Sequence, residues 1–224
     1  MKSERCGKSR IFKFESMMAS LLPLLIVFAI QSWRVASQQY NNIFILAGQS
    51  NMAGRGGVNE TTATWDGVVP SQCRPNPSIL RLNAQLEWVE AKEPLHADID
   101  VMNTNGVGPG MAFANKIFEK RQGMGLIGLV PCAIGGTNIS EWERGKVLYT
   151  RMMKRVNASL HLQPGAGVEG LLWYQGESDT LLLSDAKAYR TRLRKFFSDL
   201  RADLNSPMLP IFQAPFVSEH RTNS

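Results

Sequence analysis

Histidine and cysteine are scarce in this chain of 224 residues, with three of each. Neither type recurs at the spacing of a metal-binding cluster, so a zinc or iron centre built from them is excluded as an expectation. Long apolar runs are absent as well. The most apolar stretch, Met17 to Ile30, is 14 residues long and is broken by Ser20 and Pro23. A membrane-spanning helix needs roughly 20. There is no internal repeat and no low-complexity tract. What the chain does have in excess is positive charge, a formal net of +6.

That charge is concentrated at the start. Lys2, Arg5, Lys8, Arg10 and Lys13 precede the short apolar run, and Val35-Ala36-Ser37 follows it. A basic segment, a short hydrophobic segment and small residues make a secretory signal with cleavage after Ser37. An uncleaved signal anchor is the alternative. The expected mature domain is residues 38–224, which keep 19 of the 25 basic and 17 of the 19 acidic residues, a net of +2. No nucleic-acid partner is expected from so small a surplus. No stable membrane association is expected after cleavage, and an N-terminus near Gln38 in secreted material would exclude the anchored form. Cys73 and Cys132 remain in an oxidising compartment. One disulfide and two independent buried thiols are both open, because spacing does not report Cα separation. Of the sequons at Asn59, Asn138 and Asn157, the last is the best glycan candidate, on a polar helix end.

The mature part alternates strand-like and helix-like stretches. Short apolar runs bounded by Gly or Pro at Asn42–Ala47, Ile79–Leu82, Leu126–Pro131, Gly170–Tyr174 and Met208–Gln213 read as strands buried on both faces. Helices are expected at Pro109–Arg121, with Pro in the first turn, at Lys146–Leu160, and at Ser184–Leu204 with Ser184 as N-cap. This alternation predicts one α/β domain, a parallel sheet with helices on both faces. Arg55–Pro77, rich in Gly, Pro, Asn, Thr and Ser, reads as a long loop over a site.

One string carries most of the chemistry. Gly48-Gln49-Ser50-Asn51-Met52 closes the first strand, and open α/β sheets build their sites at such carboxyl edges. Together with Gly106-Val107-Gly108-Pro109-Gly110, Gly135-Gly136-Thr137 and Trp173-Tyr174-Gln175-Gly176-Glu177-Ser178-Asp179, it resembles the SGNH-hydrolase superfamily. Within that superfamily it is similar to the plant carbohydrate-esterase branch related to sialate O-acetylesterases. The resemblance implies a three-layer α/β/α fold with a flavodoxin-like parallel sheet, a secreted cell-wall esterase acting on acetylated carbohydrate, and no cofactor.

The same resemblance makes Ser50 the nucleophile. Its N–H, the N–H of Gly108 and the side-chain amide of Gln175 become the oxyanion hole. Gly110 is not separable from Gly108 on sequence alone, since either N–H near a helix start suits developing negative charge. Asn51, Gly136, Thr137 and Glu177 are further pocket candidates. Glu177 and Asp179 read either as braces of the nucleophile loop or as ligands of sugar hydroxyls. Trp142 reads either as a sugar-stacking ring or as packing.

A serine hydroxyl needs a base. Three histidines exist: His161 reads as surface, while His96 and His220 are weak candidates, and the family's base is carried over to none of them. The family's last block, an Asp-x-x-His pair, has no counterpart here. Val217 stands three residues before His220. The resemblance runs from about Asn42 to about Gln213 and breaks at Ala214-Pro215-Phe216, so the expectation is a chain lacking its last catalytic segment. A catalytically impaired isoform, or a non-catalytic relative that binds acetylated glycan, is the competing expectation.

Overall fold

A computed structural model describes residues 42–214 apart from Gln122 and Pro164. The expected signal segment and the tail with His220 lie outside the described residues. Six strands form one sheet in the order β5-β4-β6-β1-β7-β8. They are β1 (Asn42–Gly48), β4 (Ile79–Leu82), β5 (Trp88–Glu90), β6 (Ile127–Pro131), β7 (Gly167–Tyr174) and β8 (Ile211–Gln213). A separate antiparallel ribbon pairs β2 (Val58–Asn59) with β3 (Thr64–Trp65). The helices are α1 (Ser50–Ala53), α2 (Pro109–Lys120), α3 (Val147–His161) and α4 (Leu183–Asp203).

Strands with apolar residues on both faces must be covered on both faces, and the packing follows that rule. Along β1, Ile43, Ile45 and Ala47 enter one core while Phe44 and Leu46 enter the other. In β7, Leu171 and Trp173 take the first side and Leu172 the second. The first core is closed by Leu148, Met152 and Val156 of α3 and by Leu193, Phe196 and Leu200 of α4. The second is closed by Met111 and Ala114 of α2 and Met52 of α1. Trp142, Trp173 and Phe196 centre the first core, with Trp142–Trp173 ring centroids 5.3 Å apart and Trp173–Phe196 4.7 Å apart. Aromatic pairs of this kind add about 0.5–1.5 kcal/mol each beyond the area they bury.

The expected α/β layering is present, with differences in detail. β5 pairs antiparallel with β4. Its three residues lack the continuous apolar run of a central strand, because an edge strand is covered less completely. The parallel strands run second-third-first-fourth-fifth in chain order, whereas a flavodoxin-like sheet puts its first strand between the second and third. Here β6, not β4, neighbours β1. The α4 N-cap is Leu182 rather than Ser184, and no side chain caps it. The expected loop 55–77 contains the β2–β3 ribbon and a short 3₁₀ turn at Ser71–Cys73. No helix among the described residues is long and apolar enough to cross a membrane.

Cys73 and Cys132 are both free and buried. They lie in the two opposite cores, Cys132 with α3 and Cys73 with α2, so the sheet separates them. Burial pushes the Cys132 thiol up to about 11 and also raises that of Cys73. The expected outcome is that neither thiol reacts with a maleimide in the folded protein and both react in denaturant. Peptide mass spectrometry showing a Cys73–Cys132 crosslink would contradict the placement.

Candidate active site at the carboxyl edge of the sheet

Ser50 sits where β1 ends. Gly48, at φ +137°, turns the chain off the sheet, and a Cβ there would lie 2.1 Å from the Tyr174 carbonyl oxygen. Only glycine permits that approach between β1 and β7. The Gln49 N–H then donates to the Tyr174 carbonyl at 3.0 Å, and Ser50 opens α1. As a first-turn residue, Ser50 has an N–H with no carbonyl four residues back in its own helix. Its side chain is half-buried.

The glycine-rich loop before α2 is stitched to this turn. Gly106 N–H donates to the Gly54 carbonyl, and Val107 and Gly56 exchange backbone hydrogen bonds at 2.9 and 3.0 Å. A Cβ on Gly54 would lie 2.9 Å from the Gly108 nitrogen, so the two segments are in backbone contact. The two glycines flanking Pro109 separate in role. Gly110 makes room for packing, since a Cβ there would lie 2.6 Å from Leu95 and 2.7 Å from Leu46 side-chain carbons. Gly108 is the α2 N-cap and faces the α1 segment.

The third wall is the Gly135–Thr137 turn, joined to β1 by Ile134 N–H donating to the Gly48 carbonyl at 3.1 Å. Gly136 has φ +73° and is exposed. Buried groups hold this turn from both ends. At its start, Asp100, 1% exposed, accepts from the Gly135 N–H, the Asn103 amide and Arg55 at 3.2, 2.8 and 2.8 Å. Arg55 also donates to Asn105 and to the Gly54 carbonyl. At its end, Asp179 accepts from the Ile139 N–H through both oxygens, at 3.2 and 3.0 Å.

Gln175 lies between these walls, 1% exposed. Its amide nitrogen is 2.6 Å from Asp179 Oδ2, 2.8 Å from the Thr137 carbonyl and 3.2 Å from Gln49 Oε1. An amide has two N–H bonds, and the two shortest contacts use both. Both N–H bonds of the Gln175 amide are thus engaged by loop oxygens. Trp142 is also settled. It is fully buried, donates to Thr137 Oγ1 at 3.2 Å and packs on Trp173, so no sugar can stack on it. Asn51 is exposed, and its amide donates to Glu177 Oε1. Glu177 Oε2 is buried and has no hydrogen-bond partner among the described residues.

Neither described histidine serves Ser50. His96 is fully buried, and burial pushes its imidazole down to about 4, against opposing pulls from the Leu46 backbone and Asp100. His161 ends α3, at the opposite edge of the sheet from Ser50, with Nδ1 against the Asn157 carbonyl at 2.8 Å. Sequence reasoning missed Arg55, Asp100 and Glu93. Their signal was charge inside loops otherwise rich in glycine and apolar residues. Glu93 is 8% exposed; burial raises its carboxyl to about 7, while the N–H groups of Leu95 and Gly108 pull the other way.

With this geometry established, known proteins resemble the chain closely. Residues 40–224 match the family described as carbohydrate esterase, sialic acid-specific acetylesterase. The chain belongs to this family. A probable carbohydrate esterase of Arabidopsis thaliana is 52% identical over 183 residues, spanning 80% of this chain and 70% of the relative. The solved structure of an Arabidopsis thaliana protein superposes with a TM-score of 0.77 at 51% identity, covering 81% of this chain and 77% of the other. The crystal structure of NanS shares the fold, with a TM-score of 0.57 at 19% identity over 78% of this chain and 67% of the other.

Glu93 and His96 leave opposite marks on stability. Glu93 titrates near 7 folded and near 4.5 unfolded, so the folded state holds the extra proton between those values and stability falls as pH rises. His96 titrates near 4 folded and near 6.5 unfolded, so stability falls as pH drops through that window. Glu93→Gln removes the first slope. Its denaturation midpoint is expected to gain on wild type steadily from about pH 4.5 to about pH 7 and then hold a constant lead. A pH-independent difference between the two proteins would contradict the burial of Glu93 as a titrating group.

Proposed function

We propose that this member of the carbohydrate acetylesterase family hydrolyses O-acetyl esters on sugars through Ser50. The observation that carries the reading is the position of Ser50. It stands at the carboxyl end of the central strand, opening a helix, with the Gly108 segment held against the same turn. Ser50 Oγ attacks the acetyl carbonyl, and the N–H groups of Ser50 and Gly108 receive the developing oxyanion. Gln175 braces the loops that carry these donors. The proton that leaves the Ser50 hydroxyl ends on the departing sugar oxygen, the acetyl group stays on Ser50 as an ester, and water then releases it as acetate and restores the hydroxyl. The chemistry uses no cofactor. The basic leader fits export to the extracellular space, where acetylated polysaccharides are found.

The base is the step the described residues do not supply, since His96 is sealed in the core and His161 lies at the far edge of the sheet. This favours a second reading, in which the chain binds acetylated carbohydrate with little turnover. Triad enzymes stripped of their base retain roughly 10³–10⁴-fold over water from binding and the oxyanion hole.

Hydrolysis of an aryl acetate by the protein, by Ser50→Ala and by His220→Ala separates the readings. The expected result is activity that Ser50→Ala abolishes. Equal rates well above background would overturn Ser50 as nucleophile, and background rates in both folded proteins would favour the second reading. Loss in His220→Ala would assign the base to His220. Unchanged activity there, alongside loss in Ser50→Ala, would leave the reaction to Ser50 and its oxyanion donors.

A further inference from the structure

A basic and apolar leader, cleaved after Ser37 or kept as an anchor, carries the chain beyond it across a membrane, where Asn-x-Ser/Thr sequons receive sugar. Sequons begin at Asn59, Asn138 and Asn157, and the fold separates them. Strand alternation in the β2–β3 ribbon puts Val58 and its partner Trp65 on the inner face, where a Cβ on Gly106 would lie 2.9 Å from a side-chain carbon of each. Asn59 and its partner Thr64 take the outer face. Asn59, Glu60 and Thr61 are all exposed. Asn59 Oδ1 accepts the N–H groups of Thr61 and Thr62 at 3.0 and 3.1 Å, an Asx turn that folds the amide back over the Thr61 backbone. Neither Asn59 Nδ2, the atom that takes the sugar, nor the Thr61 hydroxyl has a hydrogen-bond partner among the described residues.

The other two sequons are engaged. Asn138 is half-buried beside the glycine turn, its N–H donating to Glu141 at 2.8 Å and its Nδ2 to Asp185 at 3.4 Å. Asn157 is exposed but lies inside α3, and the Ser159 of its sequon is fully buried, its hydroxyl donating to the Val156 carbonyl at 2.7 Å. Residues two apart on a helix do not face each other, so this amide and hydroxyl point apart. The sequence-based preference for Asn157 is reversed.

We propose that Asn59 carries an N-linked glycan and that Asn138 and Asn157 do not. Asn59 Nδ2 gives up one proton and bonds to the anomeric carbon of an oligosaccharide, whose lipid diphosphate leaves as the anomeric C–O bond breaks. The Asx turn involves neighbouring residues only, so it forms in the entering chain before the sheet exists. In the folded protein the sugar stands on the outer face of the ribbon and displaces no core contact. A bulky, soluble group there covers the exposed turn at Glu60–Ala63, the kind of loop tip that proteases cut. The assignment rests on export by the leader and not on the chemistry at Ser50.

The full chain, with its own leader, is translated in the presence of microsomes and also expressed in a eukaryotic secretory host. Gel mobility is compared before and after digestion with a peptide N-glycosidase, and peptide mass spectrometry locates the asparagine that the digestion converts to aspartate. The expected result is a single glycan, located at Asn59. It should be lost in Asn59→Gln and in Thr61→Ala and kept in Thr61→Ser, Asn138→Gln and Asn157→Gln. Limited proteolysis of Asn59→Gln should cut the Glu60–Ala63 turn severalfold faster than in the glycosylated protein, and equal rates would overturn the shielding role. A chain protected inside microsomes with Asn59 bare would overturn the assignment while leaving export intact, and sugar on Asn138 or Asn157 would overturn the selection among the sequons. A chain left outside the microsomes would overturn export and the assignment with it. None of these outcomes bears on Ser50 as nucleophile.

Discussion

The buried amide of Gln175 is the interaction on which the site depends. Three loops leave the sheet at its carboxyl edge, from β1, β6 and β7, and loops have no packing of their own to fix them. One amide nitrogen reaches all three. It touches Gln49 beside Ser50, Thr137 in the glycine turn and Asp179 beyond β7. Its two N–H bonds go to Asp179 and Thr137, with Gln49 at the longer contact, so losing the amide leaves buried oxygens short of a donor at a cost of about 1–3 kcal/mol each. Asp179 extends the knot by accepting the Ile139 N–H. Burial raises the Asp179 carboxyl, and the hydrogen bonds from Gln175 and Ile139 draw it partly back.

The sheet supplies the frame that makes such a knot useful. Alternating side chains of β1 fill two cores, so the strand cannot slip by one residue without exposing every core group it carries. That fixes where β1 ends, and Gly48 fixes how the chain leaves it. The glycines then act by absence. Gly48 lets β1 meet β7, Gly54 admits the Gly108 loop, and Gly135 leaves room for the Arg55 guanidinium. A side chain at any of these would push apart segments that now touch backbone to backbone or backbone to side chain.

Much of this was legible in the sequence. The apolar runs at Asn42–Ala47 and Leu126–Pro131 are continuous because both faces are covered, and that continuity marks parallel strands. The Gly48–Met52 string and the Gly106–Gly110 string marked the proposed nucleophile and the glycine loop that the fold holds against it. What stayed hidden has physical reasons. The β5 edge strand and the β2–β3 ribbon are three and two residues long, too short for any periodicity. The loop contacts of the Gln175 amide were hidden because the polar end of a strand looks the same from sequence whether its side chain turns outward or inward. Trp142 carried the same ambiguity, and its ring is buried against Trp173. Arg55 and Asp100 stand 45 residues apart, a pairing that only the fold brings together.

Amide hydrogen exchange in Gln175→Leu tests the account most directly. If one amide ties the loops together, exchange should quicken at Met52 and Ala53, at Ile139 and at Asp179, three stretches far apart in sequence. Protection inside β1 and β6 should stay as in wild type. Faster exchange confined to residues next to position 175, with Ile139 and Ala53 unchanged, would contradict it and show that each loop is held by its own strand.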